Sequence, residues 1–255
     1  MKIAYCLHGC IGGLTGKSGE KTCGSEQVHD IVSNNNESFF KDQEFDFFIH
    51  SWDTHLKSEY INTYDPKEYI IEPQIEFSHP KLPKNNRVFG HLSRWYSARE
   101  VLELKSKFEE KNNFKYDLVI LTRLDIYWLK QIIFENLNAS HFNFDQIKVH
   151  NKFYGTKTSP EVGDRMIISN SENMNLLKNM YNELPLIVES NPNQYGGISS
   201  HYSLSILLKK YKMRENVSFP YNYWITNHKE HISNANFSIL RYLINHPQDL
   251  IKIKI

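Results

Sequence analysis

At 255 residues the chain is long enough for one large α/β domain with a proper core, or for two small ones. Its 30 Lys and Arg against 29 Asp and Glu leave a formal charge of +1, which removes any overall electrostatic case for nucleic acid or an anionic membrane as partner. Hydrophobic residues at 40% and aromatics at 13% are a globular composition, rich enough in Tyr and Phe for both a packed core and a site that stacks on rings. The cysteines Cys6, Cys10 and Cys23 fall near the start without a CxxC pair, so the expectation is reduced thiols in a soluble, cytoplasmic protein. The early apolar run Ile3–Leu7 is too short for a signal-peptide core, and no later run approaches the roughly 18 apolar residues of a membrane helix.

In chain order, Ile3–Leu7 reads as a strand buried on both faces, and His8-Gly9 opens a glycine-rich loop, GCIGGLTGKSGEKTCG. A P-loop needs a glycine five residues before Gly16-Lys17-Ser18, and that position is Ile11. Two readings of the loop stay open: a cover over a nucleotide, or an uninvolved surface loop. Gln27–Phe40 has a weak helical pattern broken by Ser33-Asn34-Asn35-Asn36, and Phe45–Trp52 is a second buried strand ending in polar residues. Glu68–Ile75 is an edge strand by its Pro73. From Ser93 to Lys111, Trp95, Ala98, Val101, Leu102, the stem of Lys105 and Phe108 recur at helical spacing, with Ser97-x-x-Glu100 as a possible capping box.

The stretch YDLVILTRLDIYW, Tyr116–Trp128, is the centre of the pattern. Leu118–Leu121 is an unbroken apolar run, as in a central parallel strand, and it stops at two charges. In an extended chain Arg123 and Asp125 project from one face. Ligands of open α/β sheets sit just outside the carboxyl ends of strands, where such a pair could meet an anion and its metal. The plainer reading is a surface ion pair.

Beyond it, Ile147–Val149 is a short strand, and Gly163-Asp164-Arg165 leads into the strand Met166–Ile168. Ser169-x-x-Glu172 is placed to cap a helix with Met174, Leu177, Met180, Tyr181 and Leu184 on its apolar face. A loop with Pro192 and Gly196-Gly197 precedes a helix from Ser200 to Tyr211, with His201 in its first turn. Val217–Phe219 is a last strand, and Phe237–Ile244 a last helix stopped by Pro247. The alternation predicts an α/β fold, a mainly parallel, Rossmann-like sheet flanked by helices in one domain spanning 1–255, with the core over 1–220 and a helical tail over 221–255.

The order of a strand with a small-residue loop, a strand ending in SWD, the helix SRWYSAREVLELKSKFE, then YDLVILTRLD and GDRMIISNSENM resembles small bacterial and viral sugar transferases of the GT-A fold, to about Phe219. The resemblance implies a nucleotide-sugar donor, with a UDP-sugar favoured, a glycan or other hydroxyl acceptor, and a divalent cation, Mn2+ or Mg2+. It also implies a cytoplasmic enzyme, of the host cytoplasm if viral. The family's Asp-x-Asp metal signature falls on Arg123 and Asp125, so Asp125 would hold the cation and Arg123, a departure from the pattern, would meet a phosphate directly. Asp164 becomes the candidate base or sugar-hydroxyl contact, and His201 a further metal ligand or acceptor contact. His8, Gly9 and Arg94 become candidate nucleotide contacts; each also has a purely structural reading. A phosphoryl- or nucleotidyl-group transferase would use the same strand end. A non-catalytic sugar-binding protein would account for the aromatics alone.

Overall fold

A computed structural model describes residues 1–11, 25–40, 44–80, 82, 86–130, 133–134, 137–149, 152–154, 162–190, 200–213, 215–223 and 237–239. The glycine-rich stretch 12–24, the loops around Gly155 and Pro160, and the Pro192 and Gly196-Gly197 loop lie outside the described residues.

The first half of the chain builds a parallel sheet. Strands β1 (Ile3–Gly9), β2 (Phe45–Ser51), β3 (Glu68–Ile71) and β4 (Leu118–Arg123) lie in the order β3-β2-β1-β4, each neighbouring pair parallel. Helix α1 (Ser25–Phe40) links β1 to β2, a 3-10 turn and α2 (Lys57–Tyr64) link β2 to β3, and α3 (Asn86–Asn112) carries the chain to β4. The second half departs from the mainly parallel sheet that the sequence predicts. There β8 (Met166–Ser169) runs antiparallel to β4 and to β6 (Phe142–Val149), and β6 is parallel to β9 (Val217–Tyr223). The order continues through β10 (Phe237–Ile239) to β5 (Ile126–Trp128), with the short β7 (Lys152–Tyr154) on β6, giving one mixed 10-stranded sheet among the described residues.

Because strand side chains alternate, the continuous apolar runs feed two cores. Tyr5, Leu7, Ile49, Ile120 and Ile168 face one way with α1 and α2; Ala4, Cys6, Phe48, Val119, Leu121 and Ile167 face the other, against α3, α4 (Ser171–Leu176), α5 (Met180–Ser190) and α6 (Ser200–Lys210). On α3 the stripe Val88, Leu92, Trp95, Ala98, Val101, Leu102 is buried at three- and four-residue spacing, so the helix begins a full turn and more before Ser93. Burial of Val88 and Leu92 outweighs the helix cost of Gly90.

Other local expectations are corrected by tertiary partners. The Asn run does not break α1: the Asn35 amide donates to the Trp128 carbonyl (3.0 Å) and accepts from the Trp128 N–H (2.6 Å), while Asn36 donates to Tyr64 Oη. Ser97 is inside α3, where it caps nothing. The cap of α4 is Asn170, whose side chain accepts from the Asn173 N–H (2.9 Å), and Ser169 ends the strand before it. Phe237–Ile239, expected to open a helix, pairs instead with β5 and β9; residues 240–244 lie outside the described residues.

Candidate functional site

Between β1 and β4 the sheet reverses its direction of growth, since β1 leads outward to β2 and β3 on one side while β4 lies on the other. Such a switch point leaves a crevice at the carboxyl ends of its strands. His50, His8 and Arg123 stand in one row across β2, β1 and β4 at that end. The antiparallel β8 brings its leading residues, Gly163-Asp164-Arg165, to the same edge, and β6 brings Asp145. Arg94 comes from α3, and His201 from the first turn of α6.

Together these groups make a buried charge cluster. Arg94 Nη1 donates to Asp164 Oδ2. His201 Nδ1 lies 2.9 Å from the Val162 carbonyl and 3.5 Å from Asp164 Oδ1. A carbonyl only accepts, so Nδ1 carries the proton and Nε2 the lone pair. Arg165 Nη1 donates to Asp145 Oδ2 (3.1 Å), and its N–H to Oδ1 (3.3 Å). Gly163 passes so close to Asp145 that a Cβ would fall 2.2 Å from the Asp145 main-chain oxygen, so only glycine lets the strand entry present Asp164 here. Burial alone raises the Asp164 carboxyl, but Arg94, His201, Arg165 and His91 outweigh it and hold the group well below the usual carboxylate range. Asp145 goes the other way, since its burial outweighs Arg165.

His8 is 2% exposed, and burial together with the charges of Arg94 and Arg123 holds it well below the ordinary histidine range, so it is neutral. Among the described residues, its Nδ1 and the Nε of Arg94 are both buried without a hydrogen-bond partner. Such groups cost roughly 1–3 kcal/mol each when left unmade. Both belong to the group of charges at the β1/β4 strand ends, since Arg94 acts directly on His8.

Arg123 and Asp125 pair with each other, the plainer of the two readings, although Leu124 and Asp125 form a turn and not extended strand. The pair is bidentate, Nε to Oδ1 at 2.7 Å and Nη2 to Oδ2 at 2.6 Å, with Asp125 buried and Arg123 a quarter exposed. Both Asp125 oxygens are thus committed to the guanidinium. Among the described residues no three His, Cys, Asp or Glu side chains form a group able to hold a metal ion. A cation held by Asp125 alone among the side chains, as the resemblance implies, would share those oxygens with the Arg123 fork.

Gly9 acts through its backbone. At φ 97° it takes a conformation open to glycine, donates its N–H to Ser97 Oγ (2.8 Å) and accepts from the Trp52 N–H (3.1 Å), which fixes how the chain leaves β1. Ser97 Oγ lies 2.7 Å from His50 Nδ1, and His50 Nε2 is 3.2 Å from Glu72 Oε1. This has the look of a nucleophile relay, but Ser97 is fully buried and its oxygen is taken by Gly9, so the relay locks three strand ends to α3. Sequence reasoning missed Asp145, Arg165 and His50 as members of the cluster. The signal for Asp145 was the run FNFD at Phe142–Asp145, in which a carboxylate directly follows two buried phenylalanines inside a strand.

The fold and site are those of an α/β protein with a switch-point crevice lined by paired arginines. No family model matches the chain, and no curated protein matches it. Among solved structures, one that it is similar to is described as a glycosyltransferase involved in the glycosylation of the major capsid of PBCV-1, at 14% identity, 98% coverage of each chain and a TM-score of 0.40. A likeness of that size assigns no activity. No described helix is long and apolar enough to cross a membrane.

Proposed function

We propose that the protein is a glycosyltransferase that takes a sugar from a nucleoside-diphosphate donor, a UDP-sugar first among them, and passes it to a hydroxyl acceptor such as a glycan. One observation carries the reading: the unpartnered His8 Nδ1 and Arg94 Nε stand beside Arg123 at the β1/β4 switch point. A diphosphate supplies the acceptor oxygen that the Arg94 Nε–H lacks, and one for His8 Nδ1 in the tautomer that carries its proton there. Arginine and neutral imidazole in a water-poor crevice also favour the charge that grows on the leaving diphosphate when the sugar–oxygen bond breaks. Asp125 holds the plane of the Arg123 fork, and Asp164 holds Arg94.

A divalent cation at Asp125 would first have to part that carboxylate from Arg123, so donor binding is expected to survive EDTA. The test is a thermal-shift screen of UDP-, GDP-, CMP- and dTDP-sugars with manganese and with EDTA, followed by NMR of the products with the donors that bind. Stabilisation by one nucleotide class and movement of the sugar to an acceptor support the proposal. Movement of a phosphoryl or nucleotidyl group would replace it with the phosphotransfer reading, and binding that disappears with EDTA would return Asp125 to the cation.

A further inference from the structure

We infer that His201 is the base that takes the proton from the acceptor hydroxyl, with Asp164 as its positioning residue. The inference rests on the glycosyl-transfer reading and adds to it the stereochemistry of the step. His201 is three-quarters buried, with Nδ1 hydrogen-bonded to the Val162 carbonyl at 2.9 Å and lying 3.5 Å from Asp164 Oδ1. That fixation leaves the Nε2 lone pair as the imidazole's basic site. Asp164 itself is a poor base. Arg94 holds it on one oxygen, and Arg94, His201, Arg165 and His91 together keep it ionised far below the usual range. A carboxylate so committed accepts a proton weakly, but balances an imidazolium formed beside it. Asp145 of β6, itself paired to Arg165, also interacts with His201, and Arg94, Arg165 and His91 surround the Asp164 carboxylate beside it.

The step balances as a single displacement. The acceptor O–H proton passes to His201 Nε2, the oxygen lone pair forms the bond to the anomeric carbon, and the bond from that carbon to the phosphate oxygen breaks. Its electron pair leaves on the diphosphate beside Arg123, Arg94 and His8. Attack from the side opposite the leaving group inverts the anomeric configuration.

The test uses the full chain and whichever nucleotide-sugar gives turnover in the screen above, with nucleotide release and product configuration followed by NMR. His201→Gln is expected to lower kcat by roughly 10²–10⁴-fold, the usual worth of general base catalysis, with donor Kd within about twofold. The wild type is expected to lose kcat on acidification, and that loss should vanish in His201→Gln. Asp164→Asn should shift that fall to a different pH while part of kcat remains. Turnover by His201→Gln at the wild-type rate, or a product of retained configuration, overturns the inference while leaving the transferase reading intact. Absence of any nucleotide binding removes both. Should His201→Gln fail to fold, long-range 1H–15N NMR of the wild type decides: the Nδ1–H tautomer at His201 supports the assignment, and the Nε2–H tautomer overturns it.

Discussion

Helix α3 carries a buried charge cluster near each end, and the two differ in how completely their hydrogen bonds are made. Toward the carboxyl end, Lys105 and Glu109 are both fully buried. The Lys105 ammonium donates to Glu109 (3.0 Å), Ser171 (2.6 Å) and Asn175 (3.0 Å), which uses all its protons. Glu109 also accepts from the Tyr116 N–H and from Ser171 Oγ, so the knot ties α3 to α4 and to the entry of β4. Toward the amino end, Arg94 is paired to Asp164 but keeps a buried Nε without a partner, and His8 opposite it does the same. A saturated buried pair is a device of the fold. The unsaturated one, at the strand ends, is where the proposed diphosphate would find donors to bind.

The difference can be broken by substitution at either end. The largest effect belongs to the knot: Lys105→Met strands Glu109 without its buried cation, and a loss of about 3–5 kcal/mol is expected in urea unfolding, with nucleotide affinity of the folded fraction unchanged. If UDP binding falls along with stability, the two ends are not separate devices. At the crevice the pattern reverses. Arg123→Lys keeps the charge and loses the planar fork, so diphosphate binding should weaken by about 1–3 kcal/mol, roughly 5- to 150-fold in Kd, while the unfolding midpoint moves little. Equal affinity would leave Arg123–Asp125 as a structural pair only.

A smaller effect, opposite in sign, is expected at His8. Replacing a buried group that lacks its partner with an apolar ring removes an unmet polar cost, so His8→Phe should leave the ligand-free protein as stable as before, or more stable by up to about 1 kcal/mol, and still weaken nucleotide binding. A loss of several kcal/mol would show that His8 is a packing residue. The gentlest test uses pH. Burial raises Glu109, but Ser171, the Tyr116 N–H and Lys105 outweigh it and leave its folded pKa below the unfolded value of about 4.3. Its stabilisation is therefore complete above that pH and is lost as pH falls through the folded pKa. The stability gap between wild type and Glu109→Gln, measured as urea midpoints, should accordingly be widest near neutrality and narrow in acid. A gap that is constant with pH would contradict the ionised pairing.

The parallel half of the fold was legible in the sequence because its strands are buried on both faces and therefore read as unbroken apolar runs, and because Trp95, Val101 and Leu102 keep helical period. What escaped was decided at long range. Asn35 and Asn36 are poor helix residues by local rules, yet their amides are used by Trp128 and Tyr64, which lie far along the chain. Phe237–Ile239 is a strand because β5 and β9 offer it edges, and apolar residues over so short a stretch fit either structure. At the site, the Arg123–Asp125 pairing and the strand-mouth position of Asp164 were readable from spacing. The partner that binds Asp164 was not, since Arg94 arrives from another element and nothing local to either residue announces it. Lys105 was counted in the apolar stripe by its stem; its charged end is buried as well, because Ser171 and Asn175 come to meet it.

The central claim is that the strand-end cluster binds a nucleotide diphosphate and the knot does not take part. Calorimetric titration of UDP into the wild type, Arg123→Lys, His8→Phe and Lys105→Met under one set of conditions tests it directly. The account predicts binding by the wild type and by folded Lys105→Met with matching Kd, and weaker binding by both crevice variants. UDP that binds all four equally, or fails to bind the wild type while GDP, CMP and dTDP fail as well, would contradict it.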